Sequence, residues 1–270
     1  MGCVLPHRLA VAAMAVLLSA PAGADERMAV DLELVLAVDV SYSMDVEEQT
    51  LQRQGYAEAL VSPEFLDALR LGLIGRIAVT YVEWAGAGDQ QVVVDWQLID
   101  GPDSARAFSQ KVAAAPLRRI YRTSISGALL YGADLIDANA YEGIRKVIDV
   151  SGDGVNNQGP RVDATRDAVL KRGIIINGLP LLLKRSGSPF DIPDLDIYYE
   201  DCVIGGPGSF VIAVEEKAHI ARAIRTKLVM ELAGTPPMQG SPGRVVRTAR
   251  EAPRISCTIG EQIWMERWGN

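Results

Sequence analysis

The stretch Val30-Asp-Leu-Glu-Leu-Val-Leu-Ala-Val-Asp39-Val-Ser41-Tyr-Ser43 decides how the rest of the chain is read. From Val30 to Val38 it is nearly continuous apolar sequence, broken only by Asp31 and Glu33. A strand buried on both faces of a parallel sheet reads this way, because helices cover both sides of it. A carboxylate and two hydroxyls follow at once. Then comes Asp45-x-x-Glu48, a capping box that opens a helix to about residue 61. Oxygen-bearing side chains therefore sit where a strand ends and a helix starts, the place where open α/β sheets bind ligands.

Outward from this point, strand-like and helix-like blocks alternate, which predicts a layered α/β fold. Ser62-Pro63 reads as an N-cap with proline at the first helical position. Residues 77–84 and 91–98 read as two strands joined by the turn 85–89, a hairpin. Helices are expected over 103–115, 124–137, 162–172 and 216–232, and strands over 146–151, 174–182 and 210–214. Trp84 and Trp96, on the facing strands of the hairpin, are expected to pack. The long segment 184–209 is rich in Gly, Pro, Asp and Tyr. Its Gly205-Gly206-Pro207-Gly208 lacks the lysine and the strand–loop–helix setting of a phosphate loop, so a turn is expected. Residues 235–254 are rich in Pro and Gly, and Arg244, Arg247, Arg250 and Arg254 make them basic, as in a solvated linker. The apolar end, 255–268, is expected to dock back, with Trp264 and Trp268 at i,i+4 spacing as its anchors.

The first residues read differently from the rest. His7 and Arg8 precede the apolar run 9–18, and Ala22-Gly23-Ala24 supplies a small-x-small cleavage signal. This is the layout of a secretory signal peptide with cleavage after Ala24; the run falls short of the roughly 20 apolar residues that span a bilayer. The expected division is 1–24 signal peptide, 25–233 folded domain and 234–270 linker and tail, with the product periplasmic or secreted and lacking a transmembrane segment. Net charge is −7, and losing Arg8 makes it more negative, which argues against nucleic acid as the partner. Of three cysteines, Cys3 leaves with the signal. Export favours oxidation of Cys202 and Cys257 to a disulfide; the alternative is two buried thiols.

Two further loops carry oxygen ligands. Thr123 stands at a loop-to-helix junction in Arg122-Thr-Ser-Ile-Ser-Gly127, and Val147-Ile-Asp-Val-Ser-Gly-Asp153-Gly154 ends an apolar strand on an acid. With Asp39-x-Ser41-x-Ser43 these complete a pattern that resembles the von Willebrand factor A-type domain and its metal-ion-dependent adhesion site, over roughly residues 30–232. Asp201-Cys202-Val-Ile-Gly-Gly-Pro-Gly-Ser-Phe210 further resembles an exported bacterial subgroup of these domains. The resemblance implies a doubly wound, mostly parallel sheet with one antiparallel edge strand, flanked by helices. It implies a metal site made of Asp39, Ser41, Ser43, Thr123 and Asp153. Asp39, Ser41 and Ser43 would lie closest to the ion, some through water; Thr123 would coordinate directly or through water, and Asp153 would act mostly through a bridging water. A partner protein's Asp or Glu would complete the shell. Oxygen-only donors suit a hard cation, Mg²⁺ first and Mn²⁺ or Ca²⁺ next. One departure stands out: Gly152 precedes Asp153 where the family commonly has Thr, so a hydroxyl is missing.

The function expected is capture of an acidic group on a partner protein through the ion. The alternatives are a metal-assisted hydrolase and an A-type domain that serves assembly without ion-dependent binding. Catalysis is disfavoured by the residues themselves. After signal cleavage His219 is the one histidine, lying among Glu215, Glu216 and Lys217, and no Gly-x-Ser-x-Gly elbow occurs. Asp149 is anomalous inside an apolar strand, because a buried carboxylate needs a partner; Arg145 and Lys146 are the cations nearest to it in sequence.

Overall fold

A computed structural model of the chain describes Gly2 and residues 27–183, 192–234 and 253–268. The expected signal peptide 1–24, the start of the long loop (184–191), and Arg244, Arg247 and Arg250 of the basic linker lie outside the described residues. Among those described, no helix is long and apolar enough to cross a membrane.

The opening stretch forms β1 (Met28–Asp39), and the capping box is made as written: Asp45 accepts from the Glu48 amide while the Glu48 carboxylate accepts from the Asp45 amide. It starts α1 (Val46–Leu60); Ser62 caps α2 (Pro63–Arg70). The hairpin is β2 (Ile77–Trp84) with β3 (Gln90–Ile99), followed by α3 (Pro102–Ala114), α4 (Ile125–Ala138), β4 (Tyr141–Gly152), α5 (Val162–Leu170) and β5 (Ile175–Pro180). A short α6 (Leu195–Tyr198) runs into a π-helical turn over Tyr199–Val203; α7 (Ile220–Ala233) and α8 (Ile259–Trp268) complete the chain.

The strands form one sheet of order β3-β2-β1-β4-β5, parallel except for the antiparallel edge strand β3. Both faces are covered, and β1 shows why its sequence is almost wholly apolar. Leu32, Leu34, Leu36 and Val38 face one core with Tyr56, Phe65, Phe108, Ile224 and Leu228 from α1, α2, α3 and α7. Val35 and Ala37 face the other with Ile125, Leu129, Ile136, Val162 and Tyr199. The period of two along a strand sorts one run of residues into two cores.

Three local expectations are corrected. Residues 210–214 do not form a strand; they run beside β5 through isolated bridges, Gly178 with Val211 and Leu181 with Val214. The last helix begins at Ile220, after a 3-10 turn over Lys217–His219, and leaves His219 exposed. Trp84 lies opposite Gln90, and Trp96 packs its ring against Tyr141, so the two tryptophans are not a cross-strand pair.

Asp149 takes its cation from α7, not from its own strand. Lys227 Nζ lies 3.1 Å from Asp149 and 2.9 Å from Glu231, with the Phe210 ring centre at 4.4 Å. Asn177 donates to both Glu231 oxygens. Arg145 instead donates to the Glu231 and Leu232 carbonyls at the end of α7, and Lys146 reaches Glu33 and Glu142. One ammonium thus faces two carboxylates in the core. Burial pushes Asp149 up to about 7, and Glu231 adds to the shift while Lys227 opposes it. The native state then holds a proton that the unfolded chain, at about 4, has lost, so this group's contribution falls as pH rises from about 4 to about 7. Asp149→Asn should flatten that decline in denaturant titrations across the same range. Lys227→Met, which strands two buried carboxylates, should cost about 3–5 kcal/mol.

Candidate metal centre

β1 and β4 are adjacent, parallel and paired up to Val38 with Ser151. Their ends therefore leave the sheet at the same edge, with Asp39 beside Gly152 and Asp153. Asp39 is fully buried, and its Oδ1 accepts from the Ser41 amide at 2.6 Å. The Ser41 and Ser43 hydroxyls lie 2.8 Å apart, and Ser43 Oγ donates to Asp153 Oδ1 at 2.6 Å. Four of the five expected residues are thus joined in one hydrogen-bonded cluster. Ser41 and Asp153 are buried, while Ser43 is exposed and opens the cluster to solvent.

Thr123 joins from the third loop. Its amide donates to Asn157 Oδ1 and its carbonyl accepts from the Asn157 amide, which clamps it to the loop after β4. A Cβ built on Gly154 would stand 3.7 Å from Thr123 Oγ1, so the hydroxyl lies over the residue that follows Asp153. Ser124, next along, accepts from the Gly127 amide as the α4 N-cap, and its own amide donates to Ala85 at the end of β2. Arg122 accommodates this path with a φ of 81°, the one positive φ outside glycine among the described residues.

The glycine before Asp153 has a steric cause. A Cβ there would lie 2.8 Å from Asp39 Oδ2, 3.0 Å from the Tyr199 hydroxyl and 3.2 Å from Asp39 Cβ. The position is crowded by the carboxylate it serves. Burial and the neighbouring Asp153 carboxylate push Asp39 up to about 8, against the hydrogen bonds from Ser41 that favour its charge. Ser151, just before, accepts from Gln52 of α1 at 2.7 Å, which ties the first helix to β4.

Residues that the sequence reading passed over complete the surroundings. Asn156 accepts from the Ser126 amide and lies 3.1 Å from its hydroxyl, and its Nδ2 donates to Glu261 of α8 at 2.7 Å. Asn156-Asn157 after Asp153-Gly154 is a turn-forming composition that could have flagged this role. The C-terminal segment does dock: Cys202 and Cys257 are joined, Arg254 pairs with Glu200 and Asp201, and the Arg122 guanidinium lies 3.1 Å from the centre of the Trp264 ring. Arg254 is therefore an anchor, not part of a solvated tail. Gly205–Gly208 is a turn, with Gly206 at φ 96° and Gly208 at φ 76°.

The doubly wound sheet with an antiparallel edge strand, and loops converging at the carboxyl ends of β1 and β4, has the architecture of a von Willebrand factor A-type domain. The chain belongs to the family described as "Protein of unknown function (DUF1194)", whose model matches residues 29–236. No curated protein matches it by sequence. Among solved structures it is similar to a von Willebrand factor type A protein from Catenulispora acidiphila, at 15% identity and TM-score 0.51, covering 75% of this chain and 43% of that one. It also resembles the von Willebrand factor domain of the pilus tip protein Mfa5 from Porphyromonas gingivalis, at 10% identity and TM-score 0.52, covering 78% and 98%. A third similar structure is proximal thread matrix protein 1 of the mussel byssus with zinc in its adhesion-site motif, at 13% identity and TM-score 0.53, covering 77% and 49%. The chain spans less than half the length of the first of these.

The crowding at Gly152 can be checked directly. Gly152→Ala should cost about 1–3 kcal/mol in denaturant titrations, as overpacking does. Part of that cost should vanish in the Tyr199→Phe background, because one of the three close atoms is then gone.

Proposed function

We propose that this is an exported protein-binding module that captures an acidic group of a partner through a divalent cation. On this reading residues 1–24 direct export, 25–233 form the binding domain, and 234–270 are its C-terminal extension. The observation that carries it is the company kept by Asp39. A fully buried carboxylate is held against a second carboxylate and a row of hydroxyls, and its pKa is pushed up to about 8. A divalent ion in the cluster would offset both the burial and the repulsion. The donors fit a hard cation, since all are oxygens and only two are carboxylates. Among the described residues no group of three or more His, Cys, Asp or Glu is placed to hold a metal, so hydroxyls must supply much of the shell. Ser41, Ser43 and Thr123 would hold the ion, and Asp39 and Asp153 would orient its water ligands. The bound ion supplies a positive centre, poor in anionic ligands, at which an external carboxylate is attracted.

The surface beside the cluster supports an acidic partner. Tyr42, between the two serines, is 48% exposed and stacks on Tyr121, 69% exposed, with ring centres 4.6 Å apart. The Arg119 guanidinium lies 4.0 Å from the centre of the Tyr42 ring and donates to the Tyr42 carbonyl. Tyrosine and arginine are the residues that concentrate binding energy at interfaces. Arg119 places positive charge here on a chain of net charge −7, which favours an acidic segment over a basic one.

Two measurements test this reading. Titrating the metal-free protein with Mg²⁺ or Mn²⁺ should raise its melting temperature, equivalent to about 2.7 kcal/mol at a hundred times Kd, and Asp39→Ala should abolish the response while remaining folded. Affinity capture from envelope extract, run with Mg²⁺ and with chelator, should retain a partner only with the metal, and Asp39→Ala should lose it. Arg119→Glu should weaken that capture about tenfold, a change of about 1.4 kcal/mol, with its melting response to the ion intact. Equal capture in chelator, or by Asp39→Ala, would refute the proposal.

A further inference from the structure

Tyr199 is a fully buried residue whose position is hard to explain as packing alone. Its ring lies over Gly178 of β5, where an added Cβ would meet the ring at 2.7 Å, and its hydroxyl lies over Gly152 of β4. Glycines on two adjacent strands thus make room for the ring and bring the phenol oxygen to the same position as the Asp39 carboxylate. A single point, the Cβ position of residue 152, is 3.0 Å from Tyr199 Oη and 2.8 Å from Asp39 Oδ2. Neither atom makes a hydrogen bond to another described group, although both are buried. Buried polar atoms are partnered in the large majority of cases, so two such orphans beside one glycine call for an explanation.

We propose that Tyr199 is a sixth member of the metal centre, whose hydroxyl donates to Asp39 Oδ2 through one water and fixes the carboxylate for the cation. The inference rests on the ion-binding reading above. The chemistry is one-sided: a phenol, with an ordinary pKa of about 10, keeps its proton at neutral pH and donates to an ionised neighbour. Ser41 already holds Oδ1 through its amide; a donor on Oδ2 would lock the carboxylate about its remaining torsion. The arrangement also accounts for the missing hydroxyl at position 152. Where a side chain from β4 would have supplied one, this chain brings an oxygen in from the turn after α6 and needs glycine to admit it. That turn is itself secured. Cys202, three residues on, is bonded to Cys257, and Glu200 and Asp201 hold Arg254.

Tyr199→Phe keeps the ring and removes the donor. The test compares this variant with the wild-type protein, disulfide intact, by calorimetric titration with Mn²⁺ and by melting in chelator. Loss of a group that orients a ligand typically weakens metal binding 10- to 100-fold. The expected result is therefore a Kd raised about tenfold or more, with the melting temperature in chelator changed by only a few degrees. A Tyr199→Phe protein that binds Mn²⁺ as the wild type does would overturn the inference, whether or not its melting temperature falls, because a packing role alone moves stability and not affinity. If the wild-type protein itself takes up no Mn²⁺, the ion-binding reading fails and Tyr199 falls with it. The two failures are distinguished by the wild-type titration.

Discussion

Parallel pairing of β1 with β4 is the constraint from which the rest follows. The two strands stay in register to their ends, Val38 against Ser151, and so both turns emerge at one edge of the sheet at one level. No separate device is needed to bring Asp39 and Asp153 together. Tight packing on both faces holds the strands there, since the alternate residues of β1 are shared between two cores. Close approach also sets the composition at that edge, where Gly152 gives way to the Asp39 carboxylate and the Tyr199 hydroxyl.

Buried charge is handled in two different ways in this domain. In the interior each acid has a protein partner. Glu83 is paired with Arg53, Glu33 with the Asn139 amide, the Gly143 amide and Lys146, and Asp149 with Lys227. These groups act within the fold, and breaking one strands another. At the sheet edge Asp39 sits among hydroxyls and a second carboxylate, and burial raises its proton affinity. Two carboxylates this close repel each other, and that repulsion is the electrostatic basis for reading the edge as a cation site.

The C-terminal segment ties this edge to the opposite end of the chain. Through Cys257, Arg254, Glu261 and Trp264 it touches the turn that carries Tyr199, the loop that carries Asn156 and the Arg122 side chain just before Thr123. The docking expected of the apolar end thus braces two of the loops around the cluster.

Much of this was legible in the residues. The unbroken apolar run before Asp39, the Asp45–Glu48 box, the Ser62-Pro63 cap and the 85–89 turn each carry a local signal, and each produced the element expected. Local signals are readable because they depend on neighbours within a few residues. The Asp-x-Ser-x-Ser stretch, Thr123 and Asp153 could be named from sequence, although each is only a short polar pattern at a strand or helix end. Only the tertiary structure decided that Asp149 answers to Lys227 and not to Arg145 or Lys146, that 210–214 stays a series of bridges, and that the Tyr199 ring and hydroxyl lie over Gly178 and Gly152. Those outcomes depend on which helix packs over which strand. The energies involved, burial and the Coulomb interaction, are set by distance in space, and the order of residues along the chain does not record it.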